Sequence, residues 1–319
     1  MRYGYNFPLD KTPLLEQRAW IEEIERLGYD DVWTSEATQF DGMTALALAA
    51  QWSKNMRIGC GAFPVQTRGP ALLAQSIASL THAAPGRLVV GLCASSQAIV
   101  EWWNDRSMER PYYQVKDTIE FLERAWSGEL VSQEWESFRV KNYKQRILPT
   151  ERPPLLVAGL RDAMIRLGAR DADGVILNMC TPDDVRKMVP LIRRFGDDKE
   201  IAMRICMVPT EQVDLAKQVA KQWAVGYFTT ESYRTQQEGF GRGALLAESN
   251  ELWAKGDRKG ALAALPDEAI ECGWVIGSPE ECRARCLEYE AAGLDTLILS
   301  HLEDLCDPWE SIRALAPRR

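Results

Sequence analysis

"RYGYNFPLDKTPLLEQRAWIEEIERLGYDDVWTSE", residues 2–36, sets a short β-rich run, a long amphipathic run and a second short β-rich run in direct succession. Tyr3–Phe7 is too brief for a helix and rich in aromatic residues, which suits a strand. Residues 12–28 open on Thr12 and Pro13, carry Leu14, Leu15, Ala19, Ile21 and Ile24 near helical spacing, and stop at Gly28. They therefore hold a cap, a first-turn proline and a terminator. Residues 31–35 return to an apolar β-type run. Strand, helix and strand in this order make a parallel unit. The connection at 8–11 decides between the parallel folds. A dinucleotide-binding open sheet has a glycine-rich turn after its first strand, and Pro8, Leu9, Asp10 and Lys11 include no glycine.

The same alternation continues along the chain. After Tyr3–Phe7 and Asp31–Ser35, further strands are predicted at Arg57–Phe63, Leu88–Cys93, Leu155–Ala158, Gly174–Asn178, Ala202–Val208 and Thr296–Ser300. Eight strands with intervening helices predict an α/β fold, a (β/α)8 TIM barrel, in one domain over residues 1–319, with a doubly wound open sheet as the rival. Two connections exceed simple βα units. Residues 94–154 form an insertion after strand 4, with a helix around "YYQVKDTIEFLERAWSG" and a hairpin in "ESFRVKNYKQRILPTERPP". Residues 209–295 form an insertion of several helices between strands 7 and 8. "SPEECRARCLEYEAAG" within it has a capping-box start at Ser278 and Glu281 and a glycine stop at Gly293.

Composition narrows the function. The chain has 319 residues, 46% of them hydrophobic, enough for a thick core. Its formal charge is −8 and no basic block occurs, which argues against nucleic acid or an anionic membrane surface as the partner. No leader pattern and no apolar run of roughly 18 residues is present, so a cytoplasmic protein is expected. The eight cysteines show no Cys-x-x-Cys pair, and only two histidines occur. Reduced thiols and no metal centre are the expectation, although Cys282 and Cys286 share a helix face.

In such a barrel the chemistry sits where the strands end. After strand 2, Trp33, Thr34, Ser35 and Glu36 stand at the rim, with Glu36 either an acid/base group or a salt-bridged acid. After strand 3, Gly59 and Gly61 allow close approach of a ligand or a bulge, and Arg68 follows in the loop. After strand 4, Ser95 and Ser96 fall where a helix would begin, so they suit either a phosphate or a serine cap. Gly159 and Leu160 precede one further helix, and Asn178–Thr181 another. At strand 8, His301 is placed at the rim, open between proton exchange with a substrate and packing.

These residues resemble the bacterial luciferase-like flavin and deazaflavin oxidoreductases, in particular the branch that uses coenzyme F420. The resemblance rests on "GYDDVWTSEA", "MRIGCGAFPVQTRGPALLAQSIASL", "GRLVVGLCASSQAIVEWW", "RPPLLVAGLRDAMIRLGARDADGVILNMCTPDDV" and "GSPEECRARCLEYEAAGLDT", in family order. It implies a barrel with an insertion before the last strand, usually a homodimer, and a deazaflavin across the strand ends. It implies a cis peptide at Gly61–Ala62 beneath the ring and places Ser35 and Glu36 near it. It makes Ala94, Ser95, Ser96, Gly159, Leu160 and Thr181 the phosphate and tail contacts. Two departures stand out. Relatives often have Gly-x-Gly where this chain has Gly91, Leu92 and Cys93. Relatives that oxidise a sugar phosphate carry a histidine after strand 2 and a glutamate after strand 4, where Glu36 and Ser96 stand here. The expectation is therefore hydride transfer between deazaflavin C5 and a small organic substrate with a C=C, C=N or C=O bond, with Glu36 and His301 handling protons. An FMN-dependent monooxygenase and a non-catalytic flavin-binding protein are the alternatives. Substrate choice is left to the two insertions, whose Trp102, Trp103, Trp223 and Tyr227 suit a pocket or a dimer interface.

Overall fold

The β-rich runs pair edge to edge in sequence order until the last meets the first. In the computed structural model, which describes residues 1–318, the strands are β1 (Arg2–Asn6), β2 (Asp31–Thr34), β3 (Arg57–Pro64), β4 (Leu88–Cys93), β5 (Val131–Glu134), β6 (Arg139–Tyr143), β7 (Leu155–Ala158), β8 (Gly174–Asn178), β9 (Glu200–Pro209), β10 (Trp274–Gly277) and β11 (Thr296–Ser300). Parallel pairing runs β1–β2–β3–β4–β7–β8–β9–β11 and closes from β11 back to β1. The result is a closed eight-stranded (β/α)8 barrel, and the open-sheet rival is excluded. All eight predicted strands are its staves.

Three strands lie outside the barrel count. β5 and β6 form a separate antiparallel hairpin. It begins earlier than the sequence suggests, with its first strand before "ESFRV". β10, which the sequence does not announce, is a short run between Gly273 and the helix Pro279–Ala292, inside a helical connection. It pairs with β9 from Cys206 to Pro209. Cys206 also faces Ser300 of β11, and β8 ends opposite Arg204. β10 thus takes over the edge of β9 that β8 leaves.

Alternation along each strand separates two cores. Outward residues such as Val32, Ile58, Val90, Val157, Leu177, Met203, Ile205, Leu297 and Leu299 pack with the helices in one large core. Inward residues Trp33, Val89, Leu156, Ile176, Ala202 and Ile298 form a smaller cluster inside the barrel. Both faces of a stave are buried, which is why the strands read as continuous apolar runs. Trp33 takes up much of the interior: a Cβ at Gly59 would lie 2.7 Å from its ring carbon Cε3 and from Val89 Cγ1.

The N-terminal end of the barrel is closed by charge. Arg57 donates to Asp31 and Glu200, each at 2.7 Å, and Arg2 donates to Asp31 at 2.5 Å. The Thr296 hydroxyl donates to Glu200 at 2.6 Å. At the other end β4 and β9 lead into the two long connections. Residues 94–154 hold a five-residue π-turn, Ala98–Trp102, a helix, Pro111–Trp126, and the β5–β6 hairpin. Between β9 and β10, helices that include Val213–Phe228, Glu231–Gly239 and Gly243–Ala254 pack Ala220, Ala224, Phe228, Leu246, Ala261 and Leu265 into a cluster with Trp274 of β10. No helix among the described residues is long and apolar enough to cross a membrane.

Candidate active site

One step nearer the C-terminal ends of the staves, the inward residues change character. Asn6, Ser35, Gly61, Ala62, Cys93, Ala158, Asn178 and Arg204 are all half-buried, above a layer that is fully buried. They form the floor of the barrel mouth.

The floor rises at β3. Pairing shifts between Cys60 and Phe63, so one extra residue bulges toward the mouth, and the Gly61–Ala62 peptide is cis. Gly91 beneath it is obligatory: a Cβ there would lie 2.3 Å from the Cys60 carbonyl oxygen and 2.5 Å from Ile176 Cδ1. Next along β4, the Cys93 sulfur sits 3.8 Å from the Ala62 carbonyl oxygen. Burial pushes its thiol up to about 12, so it stays protonated at neutral pH and has no nucleophilic character.

The residues singled out by sequence fall in four places around this floor. Ser35 and Glu36 leave β2 at the rim. Glu36 is held by Arg68, whose guanidinium also pairs with Asp41 and lies 5.8 Å over the Phe63 ring. Of the two readings left open for Glu36, the geometry is that of the salt-bridged acid.

After β4, Ala94 and Ser96 are half-buried and Ser95 takes a left-handed backbone with φ 60°. The helix expected to begin there is a single π-turn, and Ser96 Oγ accepts from Ile99 N at 3.5 Å. The loop turns away at Ser95 before any regular helix can form, so no α-helical N-terminus faces the mouth from β4.

After β7, Gly159 and Leu160 lead into the helix Asp162–Asp171, whose N-terminus has no side-chain cap. After β8, Thr181 caps Pro182–Arg193 in a full capping box, donating to Asp184 Oδ2 at 2.9 Å and accepting from Asp184 N at 3.2 Å. Its hydroxyl is already engaged.

Of the two readings left open for His301, the geometry is that of packing. Thr296, Ile298 and Ser300 of β11 alternate inward, which turns residue 301 outward. Its imidazole packs against Tyr5 and Trp20 and meets the Tyr5 hydroxyl at 3.2 Å. Burial pulls its pKa down to about 4, with Asp307 opposing weakly, so it is neutral at pH 7. The imidazole expected at the rim lies behind the sheet, not over the mouth.

Of the floor residues absent from the sequence-derived site, Arg204 and Asn178 carry the polar chemistry. Arg204 sits inside the run "AMRICMV" and was absorbed into strand 7 as one polar residue among apolar ones. Asn178 was seen only as a residue before a helix. The signal was an arginine at an inward position of a stave, legible only once the alternation is anchored. Asn178 Nδ2 donates to the Tyr233 hydroxyl at 3.2 Å, and Gln236 and Gln237 donate to the Asn178 and Met179 carbonyls. These bonds tie the helix Glu231–Gly239 over the β8 side of the mouth. Among the described residues no group of three or more metal-ligating side chains gathers, and all eight cysteines are free thiols.

Residues 1–296 match the family model described as luciferase-like monooxygenase. The 5,10-methylenetetrahydromethanopterin reductase of Methanolobus tindarius is 24% identical over 308 residues, 93% of each chain. Among solved structures, the coenzyme F420-dependent tetrahydromethanopterin reductase from Methanopyrus kandleri superposes with a TM-score of 0.80 at 19% identity, covering 99% of this chain and 97% of that one. The FMN-bound oxygenating constituent of 3,6-diketocamphane monooxygenase from Pseudomonas putida gives 0.67 at 16% identity, covering 99% and 97%. A family match over nearly the whole length, on a closed barrel whose mouth carries the expected bulge, makes this chain a member of the luciferase-like family of oxidoreductases.

Proposed function

We propose that the protein is a coenzyme F420-dependent oxidoreductase moving a hydride between deazaflavin C5 and a small organic substrate with an activated C=C, C=N or C=O bond. The observation that carries this is the floor of the mouth: Ser35, Gly61, Ala62, Cys93 and Ala158 are small, uncharged and half-buried, as a flat ring requires. Sequence relatives described as F420-dependent, an oxidoreductase of Mycobacterium tuberculosis and a glucose-6-phosphate dehydrogenase of Tsukamurella paurometabola, support the choice of coenzyme. When bound, the deazaflavin supplies the hydride or accepts it, and it reacts poorly with oxygen.

The chain's own residues would do the rest. The Gly61–Ala62 bulge would support the ring, and Gly91 makes room for the bulge. Ser35 and the Glu36–Arg68 pair would hold the ring's edge on the β2 side, the ion pair keeping that rim fixed. Leu160 and the uncapped start of Asp162–Asp171 suit the phosphate, with backbone N–H groups as donors, and Gly159, whose own N–H donates to the Ile176 carbonyl, lies beside them. Ala94, Ser95, Ser96 and Thr181 complete the rim toward the tail. The helices after β9 cover one side and exclude water from the mouth.

FMN is the second reading, because the same floor suits either ring and the barrel superposes on an FMN-bound monooxygenase. Absorbance titration of the purified protein with each coenzyme separates them. The proposal expects at least tenfold tighter binding of F420 and hydride exchange with it. Activity only with FMN, NADH and oxygen overturns it. Tight F420 binding without exchange on any enal, imine or ketone leaves a binding protein.

A further inference from the structure

Arg204 is the one formally charged side chain on the floor of the mouth. Ala202 belongs to the inner cluster while Met203 and Ile205 pack outward, so residue 204 points back into the barrel. Its strand neighbours are Asn178 on β8 and Ile298 on β11. The other arginines at the barrel's ends are matched by acids: Arg57 by Asp31 and Glu200, Arg68 by Glu36 and Asp41, Arg242 by Asp184. Arg204 makes no ion pair and no side-chain hydrogen bond among the described residues. The acid that feels its charge is Asp10, an exposed rim residue whose carboxyl is raised by burial and Glu303 and pulled back by Arg204.

A second group converges from a different element. Tyr233, on the helix Glu231–Gly239, accepts from Asn178 Nδ2, and its own hydroxyl proton has no acceptor among the described residues. It too lies within reach of the Arg204 charge. A half-buried guanidinium and a spare O–H donor, both neighbours of Asn178 at the barrel mouth, lack an anion with two acceptor oxygens.

We propose that Arg204 and Tyr233 bind a carboxylate of the substrate, so that the protein acts on small organic acids whose reducible bond lies near that carboxylate. This rests on the hydride-transfer reading of the mouth. It also assigns a purpose to the helices after β9: they deliver Tyr233 and so select the substrate.

The test uses benzoate and benzamide, matched in shape and different in charge, titrated against the F420-saturated protein at constant ionic strength. Benzoate is expected to bind about tenfold tighter or more, the scale of a charge-assisted pair. Arg204→Gln should abolish the preference, and Arg204→Lys should restore part of it. Tyr233→Phe should weaken benzoate severalfold and leave benzamide unchanged. Equal affinities, no benzoate binding, or a preference that survives Arg204→Gln overturns the proposal. So does an Arg204→Gln protein that loses F420 affinity but keeps its preference, since the cation then serves the coenzyme. If the protein binds no F420, the functional reading fails by itself, and the same titration on the protein without coenzyme still decides the role of Arg204.

Discussion

Removing Arg57 tests how the closed end of the barrel supports the open one. Its guanidinium reaches Asp31 at 2.7 and 3.2 Å, Glu200 at 2.7 and 2.8 Å, and Thr296 at 3.1 Å. The Asp31 side chain is fully buried, and those of Arg57 and Glu200 are each 17% exposed, so solvent screens the cluster little. Arg57→Met leaves two carboxylates in a low-dielectric site. Breaking such a pair costs about 3–5 kcal/mol, and Arg2 still compensates Asp31, so the lower bound, about 3 kcal/mol, applies. Against total stabilities of roughly 5–15 kcal/mol, that loss is large. At a urea slope of roughly 3 kcal/mol/M it moves the unfolding midpoint down by roughly 1 M. Adding Glu200→Gln removes the stranded charge and should return roughly 1 kcal/mol or more. Acid narrows the gap between wild type and Arg57→Met. Burial alone would raise the Glu200 carboxyl, but Arg57 more than offsets it and holds it below its usual 4.5. That stabilisation is therefore present above about pH 4.5 and is lost as pH falls through the folded value. Urea unfolding followed by far-UV circular dichroism at pH 7 and pH 4 measures both effects. A midpoint shift below about 0.3 M, or a gap that does not narrow in acid, would show that the cluster is not the clamp described.

Gly91→Ala should cost about 1–3 kcal/mol, because the new methyl meets a backbone carbonyl that cannot swing aside, and should weaken coenzyme binding by displacing the β3 bulge. Thermal unfolding with an F420 titration checks it, and an unchanged melting point refutes the close contact. Cys93 should resist iodoacetamide at pH 8, since its thiol is held near 12; rapid labelling of that residue by mass spectrometry would sink the argument. His301 is held near 4 in the fold against 6.5 unfolded, so the folded protein should lose stability as pH falls from about 6.5 to 4, where only the unfolded chain takes the proton. His301→Gln should flatten that part of a stability–pH curve, and an unaltered slope would place the loss elsewhere.

The staves were legible because each is buried on both faces, which leaves an uninterrupted apolar run bounded by turns. Trp33, Val90 and Ile298 announce strands without saying which face they occupy. β10 was not legible: it is a short run inside a helical connection, and its place is set by β9 extending past the end of β8. The helix expected after Ser95 failed for a local reason, a left-handed backbone at that serine, which no propensity for serine forecasts.

By itself the sequence determined the fold class and the order of the staves, because burial period and turn chemistry are local properties written along the chain. Only the closed barrel decided which side chains meet. A shift of one residue on a strand turns a side chain from the mouth to the helix layer. That parity sends His301 behind the sheet against Tyr5 and Trp20, while it brings Arg204, counted only as part of a strand, into the mouth beside Asn178 and Tyr233.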